Sequence, residues 1–573
     1  VGANGSVWVI GTDAVGGGFG LWHWTGRGWA STPGGAVAIA VDPHGNPWVV
    51  NNRHTIYRWT GTAWSLLPGA ATDIGVGANG SAWVIGTNAV GGGFGLWHSS
   101  GRGWASTPGG ALAIAVGPDA NPWVVDSRHQ ILSYGPIPHR FAVATSSNGR
   151  YLVDQDGRPF LVNGDAAWNA AWALDAADQA TYLADRAAHG YNTIITDLVG
   201  STSLGAQADG ANYNGDLPFT GGNFSTPNDA YWSKIDSFFR LSQFYGISVF
   251  AIPIDAYTTT SVNVFATMTN AQAATFGSFL GNRYPQWQYP GIVWMFGNDW
   301  DADGPPGSGE NSTPSASFYQ ALLTGIRSTG DTRPTTVELG YSESASTDGS
   351  AFGPTVSLNA AYSYHPTYEV VLRSRAAADK PVIFIEGAYE NALTRYPSAP
   401  LDLRKQVGWT MTSGGAGTFY GNDSLWKFGA GWQNQLDTSD VAQRSALYAS
   451  LDGIKWWTLA PDTGNALVVA GRNQEFTSWS PAKPPNTDDA TYGWYVSAAR
   501  SSDGSLAVIY NPDTTRNRIT ISSSVLGANP TITAVDPTDG ATRNLGWTTT
   551  PAMGANAAGD HDWLFIINAS PRG

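Results

Sequence analysis

The sequence predicts a multidomain chain: a β-propeller-type repeat region at 1–135, a (β/α)₈ barrel at 140–455 and a C-terminal β-sandwich at 456–573. Three observations lead there. Residues 1–41 recur almost verbatim at 76–116. Eight short apolar runs then alternate with helical stretches as far as Leu451. From Trp456 onward only short alternating runs between turn residues remain. Repeats of this length stack as blades or solenoids, alternating strands and helices build a parallel sheet, and turn-separated short strands build a sandwich.

In the repeat region, Asn46-Pro-Trp-Val-Val50 returns as Asn121-Pro-Trp-Val-Val125, so a finer unit exists, marked by Trp8, Trp48, Trp83 and Trp123. Each unit reads as four strand-like runs between glycine turns: Val7–Gly11, Gly20–Trp24, Gly28–Thr32 and Ala36–Val41 in the first. Four strands per unit is the pattern of a propeller blade. The fourth unit stops near Tyr134 after two runs, so three full blades and a fragment are expected, with further blades upstream and a processed N-terminus. The Gly-x-x-Trp-Val-Ile/Val cores resemble tectonin-type propeller lectins. That resemblance implies a glycan ligand held by exposed indoles. Trp22, Trp59, Trp64 and Trp97 are read first as packing between blades, since large aromatics are usually structural. Trp24, replaced by Ser99 in the second copy, is less tied to a blade core.

Composition narrows the function classes. With 70 Gly and 26 Trp among 573 residues and only 13% charged residues, the chain fits a secreted, β-rich, sugar-handling protein. A formal net charge of −14 without a basic run argues against nucleic acid or anionic membrane as partner. The absence of Cys excludes disulfides, thiolate metal sites and a Cys nucleophile. No apolar run approaches the roughly 18 residues of a membrane span.

After the Pro-rich connector Gly135–His139, Asp156-Gly157 marks a hairpin turn. Barrel strands are expected at Phe160–Ala166, Tyr191–Leu198, Ile247–Ile254, Ile292–Asp299, Thr335–Tyr341, Asn359–His365, Pro381–Glu386 and Ala416–Asn422. Helices are expected at Asp178–His189, Asp229–Tyr245, Ala271–Tyr284 and Pro314–Ser328. Sandwich strands are expected at Leu506–Tyr510, Arg518–Ile521, Thr531–Asp536 and Trp563–Ile567.

Two carboxylates end such strands: Asp299 closes the fourth and Glu386 the seventh. A charge at the C-terminal end of a barrel strand is placed for chemistry. Paired carboxylates on that rim point to glycosidic bond hydrolysis, with Asp299 as acid/base and Glu386 as nucleophile. Asn298 is placed to bond the sugar 2-hydroxyl as charge develops at the anomeric carbon.

Several blocks make the resemblance closer. They are Asn163-Gly-Asp-Ala-Ala-Trp168, Tyr213-Asn-Gly-Asp-Leu-Pro-Phe219, Gly281-Asn-Arg-Tyr284 with Ile292-Val-Trp-Met-Phe-Gly-Asn-Asp299, Glu386-Gly-Ala-Tyr-Glu390, and Asp402-Leu-Arg404 through Gly414 to Leu425-Trp426. In this order they resemble the apiosidase-like glycoside hydrolases, a barrel followed by a sandwich. The resemblance implies catalytic roles for Asp299 and Glu386 and a furanoside-containing polysaccharide as substrate. Asn298 stands where that family usually has Gly, and Gly387 where it has Pro.

Further candidates for substrate contact are Asp165, Trp168, Trp300, Tyr364, His365, Tyr420 and Trp426. Asp197 and Asp255 are strand-end polar groups, and Glu390 is read as a partner for a neighbouring Arg. Asp299, Asp301, Asp303 and Glu310 have the spacing of a calcium loop. A strand instead of a helix leads into it, and Pro305-Pro306 stiffens it, so no metal and no cofactor are expected. The alternative reading is a non-catalytic, lectin-like binding protein with a decayed barrel; retention of both Asp299 and Glu386 argues against it.

Overall fold

A computed structural model describes residues 2–572 except 3, 78–79, 100–102, 118–120, 134–138, 201–209, 255–267, 301–315, 341–342, 348–351, 365, 393–398 and 477–491; the side chains of Pro108 and Asp299 also fall outside the description. The chain divides into two compact units, Val1–Pro138 and His139–Gly573.

The first unit is a row of antiparallel meanders. Among the described residues, two four-stranded sheets (from Ala38 to Ala70 and from Asp73 to Ala111) are flanked by a three-stranded sheet at either end (Trp8–Ala36 and Ala113–Ser133). This corrects the expected blade boundaries. Ala36 ends the strand Trp29–Ala36, and Ala38–Val41 opens the next sheet by pairing with Pro47–Val50. The handover is made at Val37, whose N–H donates to Val50 O at 2.8 Å. Trp64 and Trp104 tie neighbouring sheets together by donating to Pro33 O and Pro68 O, at 2.6 and 2.8 Å. Trp24 and Trp29 pair edge-to-face at a hairpin end and stay exposed.

The second unit is built on a parallel sheet of eight strands among the described residues. They are β1 (Val162–Ala166), β2 (Thr193–Asp197), β3 (Ser248–Ile252), β4 (Ile292–Trp300), β5 (Thr335–Leu339), β6 (Asn359–Tyr362), β7 (Val382–Glu386) and β8 (Gly417–Tyr420). β1 pairs with both β2 and β8. β5 and β6 lie at the ends of the ladder and approach through Ser357 and Leu358, whose N–H groups donate to Thr335 O. This is a (β/α)₈ barrel. The helices that cover it are α1 (Ala176–Ala188), α2 (Asp229–Phe244), α3 (Asn270–Arg283), α4 (Ala316–Arg327), α5 (Thr367–Ala377), α6 (Pro400–Thr412) and α7 (Ser439–Asp452). Three of them start at side-chain caps: Asp175 caps α1, Asn228 caps α2, and Thr269 with Gln272 forms a capping box on α3.

The C-terminal region is a six-stranded antiparallel sheet with a two-stranded sheet beside it, among the described residues. Its strands are apolar on both faces for a reason. Ala507 and Ile509 pack toward the small sheet with Val468, Ile519 and Ile521. The alternate residues Leu506, Val508 and Tyr510 pack into the barrel's own core. One sheet is thus shared by two layers.

Helix α6 is the hinge of that arrangement. It is buried along most of its length, and Arg404 reaches from it into the sandwich. Arg404 Nε donates to Asp562 Oδ2 at 2.9 Å, and its Nη2 donates to both Asp562 Oδ1 at 2.8 Å and Asp560 Oδ2 at 2.6 Å. Asp562 is fully buried and also accepts from Tyr510 and Asn556. Removing the guanidinium leaves a buried carboxylate without its counter-charge. Arg404→Ala is therefore expected to cost about 3–5 kcal/mol of stability, read from the denaturant midpoint; an unchanged midpoint would contradict this account of the join.

Candidate active site

The C-terminal end of β4 is shaped by a bulge. Phe296 pairs with Val337 and Trp300 with Leu339, so β4 carries two more residues than β5 across the same span. Gly297, Asn298 and Asp299 occupy the surplus. Gly297 has φ +65°, and a Cβ there would lie 2.8 Å from Trp300 Cβ and 2.9 Å from Glu338 O. Only glycine fits that backbone, and bulges next to reactive sites serve to re-aim side chains. Asn298 is buried in the bulge. The Asp299 backbone belongs to it, while its side chain lies outside the description.

Trp300 closes the bulge. It is 1% exposed and packs edge-on against Tyr319 and Phe352. The expectation that it stacks on substrate is corrected: β4 continues past Asp299, and the indole goes into the core.

Glu386 ends β7. A second register shift sets it beside Tyr362, and Ser363 N–H donates to its carbonyl at 3.2 Å. The Tyr364 hydroxyl donates to Glu386 Oε1 at 3.1 Å. Tyr364, expected as a stacking ring, therefore serves the carboxylate directly. His365, expected beside it, lies outside the described residues.

Tyr389 stands on the turn after Glu386. Its hydroxyl accepts from Trp168 Nε1 at 2.9 Å. Burial pushes the phenol well above its usual pKa, and the nearby charges of Glu386 and Glu338 push the same way. Trp168 is thereby a fixed wall on the rim, 5% exposed. Trp426 follows β8, half-buried, with its indole N–H given to Asp423 and Lys427 over its ring at 4.3 Å. The Asn169 N–H donates to Trp426 O, joining the rims of β1 and β8.

Two expected contacts face the helix layer instead. Asp165 is buried and accepts from Tyr182 Oη at 2.7 Å and Arg186 at 3.3 Å, both on α1. Burial raises its pKa, with Arg186 acting against that. Tyr420, its partner across the β1–β8 ladder, packs with Tyr191, Leu403 and Val441 and donates its hydroxyl to Glu390. Neither reaches the cleft. Among the described residues, Glu390 pairs with hydroxyl and amide groups. Asp197 is buried at the end of β2, its N–H donated to Trp168 O at 2.8 Å. Asp255, Asp301, Asp303 and Glu310 lie outside the described residues.

Glu338 was not anticipated. It is fully buried on β5, opposite the β4 bulge, and its charge is felt at Tyr389. The only signal was a lone acid inside Thr335-Thr-Val-Glu-Leu339. Among the described residues one set of possible metal ligands gathers: Asp185, His189 and Asp437, with ligand atoms within 4.8 Å of one another. Asp185 is already ion-paired to Arg186, and the cluster sits at the far end of α1 from Glu386.

The profile of the apiosidase-like catalytic domain matches residues 146–458, and that of the tectonin domain matches residues 1–140. The chain belongs to the apiosidase-like family. It is a glycoside hydrolase. No curated protein matches it. Among the solved structures that share its fold are two glycoside hydrolases. One is a glycoside hydrolase at 21% identity, with 75% of this chain and 97% of that chain covered and a TM-score of 0.61. The other is a glycoside hydrolase family 5 protein from Bacteroides vulgatus at 20% identity, with 76% and 95% covered and a TM-score of 0.61.

One carboxyl near the rim of this apiosidase-like hydrolase is strongly perturbed. Asp440, in the first turn of α7, is pushed up to about 6 by burial and then by the charge of Glu390. A raised carboxyl favours the folded state when protonated, so its contribution is fully present near pH 4 and is lost as pH rises through about 6. Asp440→Asn is expected to gain on wild type by about 1–2 kcal/mol between pH 4 and 7, the shift being partly screened by solvent, measured by urea unfolding. A pH-independent difference would contradict the assignment.

Proposed function

We propose that this protein is a secreted, retaining glycoside hydrolase acting on a furanoside-containing polysaccharide, with Glu386 as nucleophile and Asp299 as acid/base. The observation that carries the reading is the setting of Glu386: a carboxylate at the C-terminal end of β7, bonded by Tyr364 and bordered by Tyr389. Asp299, whose backbone closes the β4 bulge, is read as the second carboxyl. Membership of the apiosidase-like family supports the furanoside reading. Secretion rests on the low charge and high aromatic and glycine content.

The chemistry runs in two displacements. A Glu386 oxygen attacks the anomeric carbon while Asp299 gives its proton to the departing glycosidic oxygen, so the C–O bond breaks as the glycosyl ester forms. Asp299, now ionised, takes a proton from water, which attacks the same carbon and returns Glu386 as carboxylate. This course requires the two carboxyl groups about 5–5.5 Å apart. Tyr364 holds Glu386 by its hydrogen bond, and Asn298 is read as the 2-hydroxyl partner. Trp168 and Trp426 are the aromatic walls of the cleft, with His365 as a further contact. In the repeat region the exposed Trp24 and Trp29 are suited to stack on a glycan.

Glu386→Gln is expected to abolish turnover of polysaccharide and aryl furanoside alike. Asp299→Asn is expected to lose the polysaccharide but keep aryl furanosides with good leaving groups, as initial rates would show. Equal, mild losses in both would contradict the roles. Tyr364→Phe removes a donor to Glu386 and is expected to lower kcat/KM roughly 10-fold, the loss of one hydrogen bond to a charged group; an unchanged kcat/KM would show that the bond does not serve Glu386.

A further inference from the structure

The turn that follows the nucleophile is fastened from behind by one side chain. Glu390 accepts from Tyr420 Oη, from Asn422 Nδ2 at 3.2 Å and from Thr438 Oγ1 at 3.0 Å. Two of these donors come from the end of β8 and the segment after it, and the third is the N-cap of α7. The backbone is fastened too: Glu390 N–H donates to Gly421 O and Asp423 N–H to Glu390 O, both at 2.9 Å. None of these partners belongs to the cleft wall.

On the other side of the same turn stands Tyr389. Its ring lies against residue 421, where a Cβ would sit 2.5 Å from the ring carbons, so glycine is needed for the ring to pack there. Its hydroxyl meets the Trp168 indole, and its phenol feels the charge of Glu386. Gln406 of α6 supports the middle of the turn through Ala388 O at 3.4 Å.

We propose that Glu390 is a positioning residue for the Glu386 end of the site, holding the turn 387–390 so that Tyr389 stands between Trp168 and the nucleophile. The proposal rests on the reading of Glu386 as nucleophile. A carboxylate suits the place because three donors converge on it beside the N-terminus of α7, where negative charge is favoured. All three meet the single oxygen Oε2, so an amide could accept the same bonds but would lack the charge that strengthens them. Glu390 acts through Tyr389 and touches no substrate.

The test uses the full chain and an aryl furanoside. Glu390→Ala is expected to lower kcat about 100-fold, the effect of a misplacement near 1 Å, with KM within about twofold. Glu390→Gln is expected to fall between it and wild type. Tyr389→Phe should also lower kcat, and Glu390→Ala combined with Tyr389→Phe should be no worse than Glu390→Ala alone, since both act on one contact. Wild-type kcat with only a lowered melting temperature in Glu390→Ala, or fully multiplicative losses in the double variant, would overturn the proposal. Should Glu390→Ala fail to fold, wild-type kcat in Glu390→Gln would overturn it equally. Glu386→Gln, run alongside, reports the nucleophile reading by itself, while the coupling between residues 389 and 390 reports the positioning.

Discussion

The hydrogen bond from Tyr364 to Glu386 is the contact on which the reading of this molecule turns. A carboxylate at the end of a buried strand needs donors or it takes up a proton. Tyr364 supplies one, and the register shift between β6 and β7 makes the contact possible by bringing Tyr362 level with Glu386. The bulge in β4 is the second irregular strand end of the barrel. On the proposed reading these two strand ends carry the chemistry, and the regular parts of the barrel hold them.

The same logic extends outward. Behind Glu386 lies the turn 387–390, and behind that lie α6 and the sandwich. Trp409 of α6 donates to Tyr495 O at 2.8 Å, and Thr412 meets Ser497. Tyr368 of α5 donates to Tyr492 O and accepts from Phe476 N–H. The sandwich is therefore continuous with the helices that back β6, β7 and β8. Its sheet gives one face to the barrel core, which explains why its strands lack the polar alternation of a solvent-facing sheet.

The barrel was legible because each strand is a short apolar run between turn residues, and Asp299 and Glu386 stood out as candidates because each closes such a run in the sequence. What the sequence could not show was which way a side chain turns. In a strand buried on both faces, neighbours on either side are equally apolar, so nothing in the order of residues told that Asp165 and Tyr420 face the helices. Trp300 was misjudged because a bulge lets β4 run one residue past Asp299. Glu338 was passed over because it lies within its strand and not at the end. In the repeat region the apolar run Ala36–Val41 hides a change of sheet at Val37, a matter of hydrogen-bond partners and not of composition.

The most direct measurement is mass spectrometry of the protein after reaction with an activated 2-deoxy-2-fluoro furanoside, which slows release of a glycosyl ester. The account expects one covalent adduct, on the peptide that contains Glu386, formed as activity is lost. An adduct on another carboxylate such as Glu338, or inactivation without an adduct beside a product of inverted configuration, would contradict it.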